Sequence, residues 1–348
     1  MTLSGSFANA TGTPTEVGFY YGTSSEPTSG DWVNATSSSF SLDLNGLKSN
    51  TKYYYRACVK ITGTGSYASQ VDTFYGDVKS FTTPAESVDV PSNPAVNAGW
   101  LELPGDPNAG DGNNFVSYFK VGSARNYSYM YDKSMYTSMW TAYPLYSSVM
   151  RGGYSASWKP NPNLEESEQI DIWSGSYGVE DYSRGHLLPK ASRSNNSEML
   201  KQAYYATNQV PQIQDSFNGG IWQSLETAVR NEVNSDTLYV VTGVAFRKVG
   251  GSESVRYIKP QYDTKQCPVP NYFYKVVMKV KRSAGKVTAA STVGFWFEHK
   301  TYSGSYTNHA VSVNQIEQWT GVDFFVNLPD SIENNAESNS DWETFTKF

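Results

Sequence analysis

From residue 1 to 84 the chain reads as short stretches in which apolar and polar residues alternate, separated by clusters of Gly, Ser, Asn and Thr. A period of two buries one face of a strand, so this region is expected to form an antiparallel sandwich, with strands near 17–21, 40–44, 53–59 and 78–82. Residues 85–98 hold two prolines and no periodic apolar pattern, which predicts a linker. From 99 to 348 the pattern changes. Apolar β-rich runs at 238–244, 272–280 and 288–296 alternate with helix candidates around 196–206, 219–233 and 312–320, an α+β arrangement. In the second candidate Ile221, Trp222, Leu225, Val229 and Val233 recur at helical spacing, and Gly219-Gly220 marks its start. The acidic end beyond Leu328 reads as a solvated tail.

Composition adds bounds to this outline. At 348 residues, 39% hydrophobic and 17% charged, with 9 Trp, 26 Tyr and 16 Phe, the chain can bury large cores, and neither disorder nor coiled coil fits. No apolar run approaches the roughly 20 residues of a membrane helix, and Met1 to Asn9 lack the basic and apolar regions of a signal peptide. The abundance of Tyr, Ser, Thr, Asn and Gly points to a secreted, periplasmic or cell-surface protein, with its targeting signal outside these residues. A net charge of -6 argues against holding nucleic acid by bulk positive charge and leaves room only for a small basic site. Cys58 and Cys267 exclude a disulfide scaffold and a thiolate zinc site, and free thiols are expected. In the first region, Leu47-Lys-Ser-Asn-Thr-Lys-Tyr53-Tyr-Tyr-Arg-Ala-Cys-Val resembles the tyrosine corner of a fibronectin type III module. Phe81-Thr-Thr-Pro84 is similar to that module's last strand, while its first strand is short or missing. Such a module serves as a spacer or a binding platform of unknown partner.

Candidate chemistry lies in the second region. Of three histidines, His186 stands out in Asp181-Tyr-Ser-Arg-Gly-His-Leu-Leu-Pro-Lys190, where an extended segment puts Arg184 and His186 on one side. A neighbouring guanidinium lowers the imidazole pKa, which favours a neutral general base near pH 7. A second cluster is Asn208-Gln-Val-Pro-Gln212, followed by Asn218, Glu226 and Arg230. On one continuous helix these last three share an accessible face, with Glu226 and Arg230 equally readable as a solvated i,i+4 ion pair.

Together the clusters resemble the DNA/RNA non-specific endonuclease family of the ββα-metal superfamily, which carries Asp-Arg-Gly-His, then Asn-x-x-Pro-Gln, then an Asn with Glu and Arg eight and twelve residues on. Further similarity lies in Val240-Val-Thr-Gly-Val-Ala-Phe246, in Val269-Pro-Asn-Tyr-Phe-Tyr-Lys-Val-Val277 and in Val313 to Pro329, closest to the family's endonuclease G-like branch. The resemblance covers 99–345. It implies a ββα-metal domain with a central antiparallel sheet and flanking helices, and a sugar-non-specific endonuclease acting on DNA and RNA. It implies His186 as general base and Asn218 as the one direct protein ligand of Mg²⁺ or Mn²⁺. Glu226 would orient water around that ion, and Arg184 and Arg230 would take up phosphate charge, with Asn208 and Gln212 bracing the site. Because these contacts go to phosphate and metal, little sequence selectivity follows.

Two departures stand out. Ser183 replaces the family's Asp before Arg-Gly-His, removing a carboxylate expected to position Arg184 and His186. An upstream phosphate-contacting Arg is missing as well, since Tyr154-Ser-Ala-Ser-Trp158 lacks it and Arg151 is out of register. Between 181 and 230 there are five basic residues and four acidic ones, and Lys275, Lys279, Lys281, Arg282 and Lys286 gather on one expected hairpin, readable as a phosphate track or as a solvated strand face. Rival readings are a surface glycan-binding or adhesin protein, and a degenerate nuclease that binds nucleic acid without cutting.

Overall fold

The computed structural model describes residues 2–8, 13–34, 37–44, 47, 51–63, 65–67, 69–83, 99–179, 181–233 and 236–348. The 85–98 stretch read as a linker lies outside them, as do residues 48–50 of the tyrosine-corner stretch. The chain divides into two compact units, Met1–Val88 and Asp89–Phe348.

In the smaller unit the strands are β1 (Thr2–Ser6), β2 (Thr13–Gly22), β3 (Gly30–Asn34), β4 (Ser39–Asp43), β5 (Lys52–Thr62), β6 (Val71–Tyr75) and β7 (Lys79–Thr82). β1 pairs with β4, while the other sheet runs β3-β2-β5-β6, with β7 pairing along the first half of β5. Alternation along β5 decides what is buried. Tyr53, Tyr55 and Ala57 face a small core with Leu3, Phe19, Phe40, Leu44 and Phe81, and Tyr54, Arg56 and Lys60 take the opposite face.

In the larger unit β8 (Asn114–Val121), β9 (Ala124–Asp132) and β10 (Thr137–Leu145) are followed by the short strands β11 (Tyr182–His186) and β12 (Gln209–Ile213). After these come β13 (Leu238–Ala245), β14 (Arg256–Ile258), β15 (Cys267–Val269), β16 (Tyr272–Ser283), β17 (Lys286–Glu298) and β18 (Ala310–Val311). The helices are α1 (Ser197–Ala203), α2 (Gln223–Asn231), α3 (Val313–Thr320), α4 (Asp330–Ala336) and α5 (Trp342–Thr346). A seven-stranded antiparallel sheet, β18-β17-β16-β13-β10-β9-β8, forms the centre, and β11-β12 and β14-β15 are separate pairs. Both faces of the large sheet are covered, so all eight residues of β13 are buried. Phe273 and Val277 point to one core with Trp222, Leu225 and Val229 of the α2 region, and Tyr274, Val276 and Met278 point to the other with Ile316 of α3 and Phe324. The β16–β17 hairpin turns through Ala284 at φ 48° and Gly285 at φ 79°, the left-handed pair a tight two-residue turn needs.

Two expectations are corrected here. The acidic end is no solvated tail: it forms α4 and α5, Phe345 is buried, Thr292 Oγ1 donates to the Ala336 carbonyl at 2.8 Å, and Trp342 meets Phe295 at 5.5 Å. Aromatic residues at helical spacing, rather than charge, decide where that segment goes. The basic hairpin commits three of its five cations within the unit, so no track forms across all five, while Lys281 and Lys286 stay exposed. Lys275 points into the core under α2, Lys279 pairs with Glu232 at 2.8 Å, and Arg282 donates to the Tyr239 hydroxyl.

Candidate active site

β11 and β12 pair antiparallel, with His186 opposite Gln209, Gly185 opposite Val210 and Ser183 opposite Gln212. Glycine is required between Arg184 and His186 because a Cβ at Gly185 would stand 2.1 Å from Gln212 Oε1. Asn208 is buried and ties three segments together: its Oδ1 accepts from Leu188 N, and its Nδ2 donates to the carbonyls of Leu188 and Ala203. Gln212 is equally buried, so both amides sit within the frame. Sequence reasoning gave His299 no role. Its Nε2 accepts from Ile213 N and its Nδ1 donates to the Pro270 carbonyl, each at 2.9 Å, and burial holds it neutral, with its pKa pulled down to about 4. It pins the end of β12.

Arg184 and His186 lie on one side of β11. The His186 ring is 4.6 Å from Trp158 and 4.8 Å from Tyr204, and the Arg184 guanidinium lies 5.4 Å from the Trp158 ring. Burial first, then the charges of Lys190 and Arg184, pull the His186 pKa down to about 3. Its Nε2 is shut off from solvent without a hydrogen-bond partner, so Nδ1 is the nitrogen on the open side of the ring. Arg184 commits Nη1 to the carbonyls of Ile172 (2.8 Å) and Gly175 (3.2 Å), which leaves its other donors for an anion. Trp158 was singled out in the sequence for a missing arginine beside it; here it is the wall against which both basic side chains pack. Lys190, read before only as a local charge, is the further cation felt by His186.

Asn218 meets β11 at Ser183. The expectation of one helix through 218 and 226 is corrected, since Gln214–Trp222 is an irregular turn with non-helical backbone at Asp215, Ser216 and Gly220, and regular helix begins at Gln223. Gly220 at φ −130° and ψ −109° breaks the register that would have put Asn218, Glu226 and Arg230 on one face. The expected role of Ser183 changes too. Its hydroxyl accepts from Asn218 Nδ2 at 2.8 Å and donates to the Gln212 carbonyl at 3.2 Å, so it orients Asn218 rather than Arg184 and His186. With Nδ2 also near Gln214 Oε1 at 3.3 Å, the amide oxygen of Asn218 is left for a ligand.

Glu226 and Arg230 form a third group. Their side chains are only 14% and 16% exposed and approach to 3.8 Å, so they are not a solvated helix pair. Arg230 Nη2 donates to Thr227 Oγ1. Facing them from β16 is Lys275, 1% exposed, bonded to Thr242 Oγ1 and 4.9 Å from the Trp222 ring. Burial raises the Glu226 pKa while Lys275 and then Arg230 oppose it, and burial lowers that of Lys275 while Glu226 opposes it. The lysine was visible in the sequence, but strand alternation on a sheet covered on both faces was needed to send it inward. Among the described residues, no hydrogen bond or ion pair links this group to His186 or Asn218.

Among the described residues no group of three or more His, Cys, Asp or Glu side chains could hold a metal ion. The donor left free beside the strand pair is the Asn218 amide oxygen, a hard neutral oxygen.

A neutral imidazole beside cations and guanidinium donors on a strand pair, and a free amide oxygen on the irregular turn that meets it, are groups of the kinds a phosphodiester hydrolase uses. The chain belongs to the DNA/RNA non-specific endonuclease family, whose model matches residues 108–331. It is 26% identical over 176 residues to mitochondrial Nuclease 1 of Schizosaccharomyces pombe, a match that takes in 49% of this chain and 53% of that protein. It is likewise 26% identical over 205 residues to the Nuclease of Serratia marcescens, covering 57% of this chain and 72% of the relative. A chain from the crystal structure of the EndoG/EndoGI complex shares the fold at a TM-score of 0.50 and 21% identity, over 59% of this chain and 85% of that one. Among the described residues no helix is long and apolar enough to cross a membrane.

Proposed function

We propose that the larger unit hydrolyses phosphodiester bonds in both DNA and RNA with little sequence selectivity, using a divalent cation, Mg²⁺ or Mn²⁺, held directly by Asn218. The observation that carries the reading is His186, an imidazole kept neutral beside Arg184 and Lys190 with Nδ1 on the open side of its ring. His186 takes the proton of the attacking water; neutrality at pH 7 leaves its ring nitrogen free to accept it, while a pKa far below the operating pH makes it the weaker base until phosphate charge sits beside it. The free donors of Arg184, with Lys190 in place of the missing upstream arginine, meet the phosphate charge as it builds. When bound, the cation would neutralise non-bridging oxygens and ease departure of the leaving oxygen. Ser183 and Gln214 orient the Asn218 oxygen, while Glu226, Arg230 and Lys275 supply a fixed field from behind.

The smaller unit is read as fibronectin III-like. Supporting this, the pairing of β1 with β4 and the order β3-β2-β5-β6/β7 match that sandwich with its first strand absent. The 99–348 segment is expected to cut nucleic acid alone, and an exported location remains the expectation from composition.

The test is digestion of supercoiled plasmid and structured RNA with Mg²⁺, Mn²⁺ or EDTA. Short fragments from both polymers with metal, and none in EDTA, are expected. Equal cutting in EDTA, or cutting of neither polymer, overturns the reading.

A further inference from the structure

The outer face of the smaller unit's larger sheet carries a row of aromatic and cationic side chains that the core does not use. Trp32 on β3, Tyr20 on β2, Arg56 on β5 and Tyr75 on β6 lie side by side across the strands. The Tyr20 ring is 5.6 Å from both Trp32 and Tyr75. The Arg56 guanidinium lies 4.2 Å from the Tyr75 ring and 5.8 Å from Tyr20, and the Lys60 ammonium lies 4.1 Å from Trp32. Tyr75 is 48% exposed. Down the central strand Lys52, Arg56 and Lys60 recur every fourth residue, about 13 Å apart at the rise of a strand. Among the described residues of this face the one carboxylate is Glu16, held by Lys60 at 2.5 Å.

We propose that this face is a binding platform for single-stranded nucleic acid. The identity of the polymer rests on the nuclease reading of the larger unit; the platform itself rests on the chemistry of the face. The Tyr20 ring meets Trp32 at 89° and Tyr75 at 50°, so the row is a stepped surface on which a base reaches a ring face only when splayed out of its stack, as single strands allow and a duplex does not. The planar Arg56 guanidinium is a further stacking surface, and Lys52 and Arg56, the cations of β5 outside the Lys60–Glu16 pair, match the charge of a phosphate backbone. Among the described residues the face holds one carboxylate, Glu16, already engaged by Lys60, so its remaining charge is positive and suits a polyanion better than a neutral glycan. Strands held here stay attached to the chain that cuts them, which raises their local concentration without altering the chemistry.

The full chain in EDTA, where cutting is suppressed, is titrated with labelled oligothymidylate of about 12 nucleotides, within the span one such surface covers. A duplex of equal length and heparin serve as competitors. Tyr20→Ser with Arg56→Gln should weaken the oligonucleotide at least tenfold, in keeping with the loss of one stacking surface and one cation. Arg56→Gln alone should flatten the log–log salt dependence by about 0.7. Tyr75→Ala, at a half-exposed position that leaves the core untouched, should weaken binding at least fivefold and decides the matter if the double variant does not fold. With Mg²⁺ the same variants should raise KM for long single strands about tenfold, with kcat on a small chromogenic phosphodiester unchanged. Folded variants that bind like wild type, or a face that takes heparin and not oligothymidylate, overturn the proposal. If the face binds but plasmid and RNA stay intact with metal, the nuclease reading alone falls.

Discussion

The strand pair that carries His186 and the helix that carries Glu226 look alike in the sequence, each a basic residue near a titratable partner, yet the fold treats them oppositely. Arg184 and His186 sit on a two-stranded ribbon against Trp158 and Tyr204, with Nδ1 and part of the guanidinium turned outward. Glu226 and Arg230 are pressed onto the main sheet, where Lys275 completes a buried cluster. Short ribbons at the flank can present polar atoms to a polymer, whereas a helix face on a fully covered sheet cannot. On the proposed function, the chemistry lies on the first and its electrostatic support on the second.

If that division is right, truncation on the ribbon costs rate and truncation under the helix costs stability. His186→Ala should lower kcat by roughly 10² to 10⁴ while the melting curve stays close to wild type, read by initial-rate digestion of a labelled duplex beside calorimetry. An equally active His186→Ala would move the base elsewhere. Lys275→Met should destabilise the folded protein by about 2–3 kcal/mol, because it removes the larger of the two charges that offset burial of Glu226 and leaves Arg230 alone to do so, and the double variant with Glu226→Gln should recover most of the loss. Denaturant titration checks this, and a single variant as stable as wild type would mean that the two charges do not depend on each other.

pH should separate the regions further. With its pKa at about 3, below the ordinary 6.5, His186 favours the folded state fully above pH 6.5, and this stability is lost as pH falls toward 3. The carboxyls of Glu317 and Glu333 are raised to about 7 and that of Glu337 to about 9, chiefly by burial among one another. Their contribution is complete below the ordinary carboxylate range and is lost as pH rises from about 5 to 9. Melting temperature against pH should therefore show a maximum on the acid side of neutrality. The acid limb of kcat/KM should lie below the ordinary histidine value, and a limb centred at 6.5 or above would contradict a buried, neutral base.

The smallest effect is expected at Ser183. Ser183→Ala frees Asn218 Nδ2 and should raise the Mg²⁺ requirement severalfold at near-constant kcat. Ser183→Asp keeps an acceptor for Nδ2 but turns an oxygen toward the Gln212 carbonyl, for a net change in kcat/KM of less than about a hundredfold. Both are measured as rate against metal concentration.

Periodicity and local motifs alone determined much of this protein. Period-two runs with turn residues between them announced four strands of the smaller unit, β-rich apolar runs announced β13, β16 and β17 of the larger while β8, β9 and β10 went unread, and the spacing from Arg184 to Arg230 pointed to the family. Each of these signals depends on neighbours in the chain. What was not legible depends on contacts between distant segments. The helix through Asn218 read as continuous because composition does not reveal the Gly220 backbone. Ser183 read as a partner of its neighbours, yet its hydroxyl answers Asn218 on a segment brought in by the ribbon. Lys275 read as a surface charge until a sheet covered on both faces turned it beneath Trp222, and the acidic end read as a tail until Phe345 and Trp342 found the surface of β17. Burial is a property of the assembled sheet, so only the tertiary structure could decide which charges face solvent and which face one another.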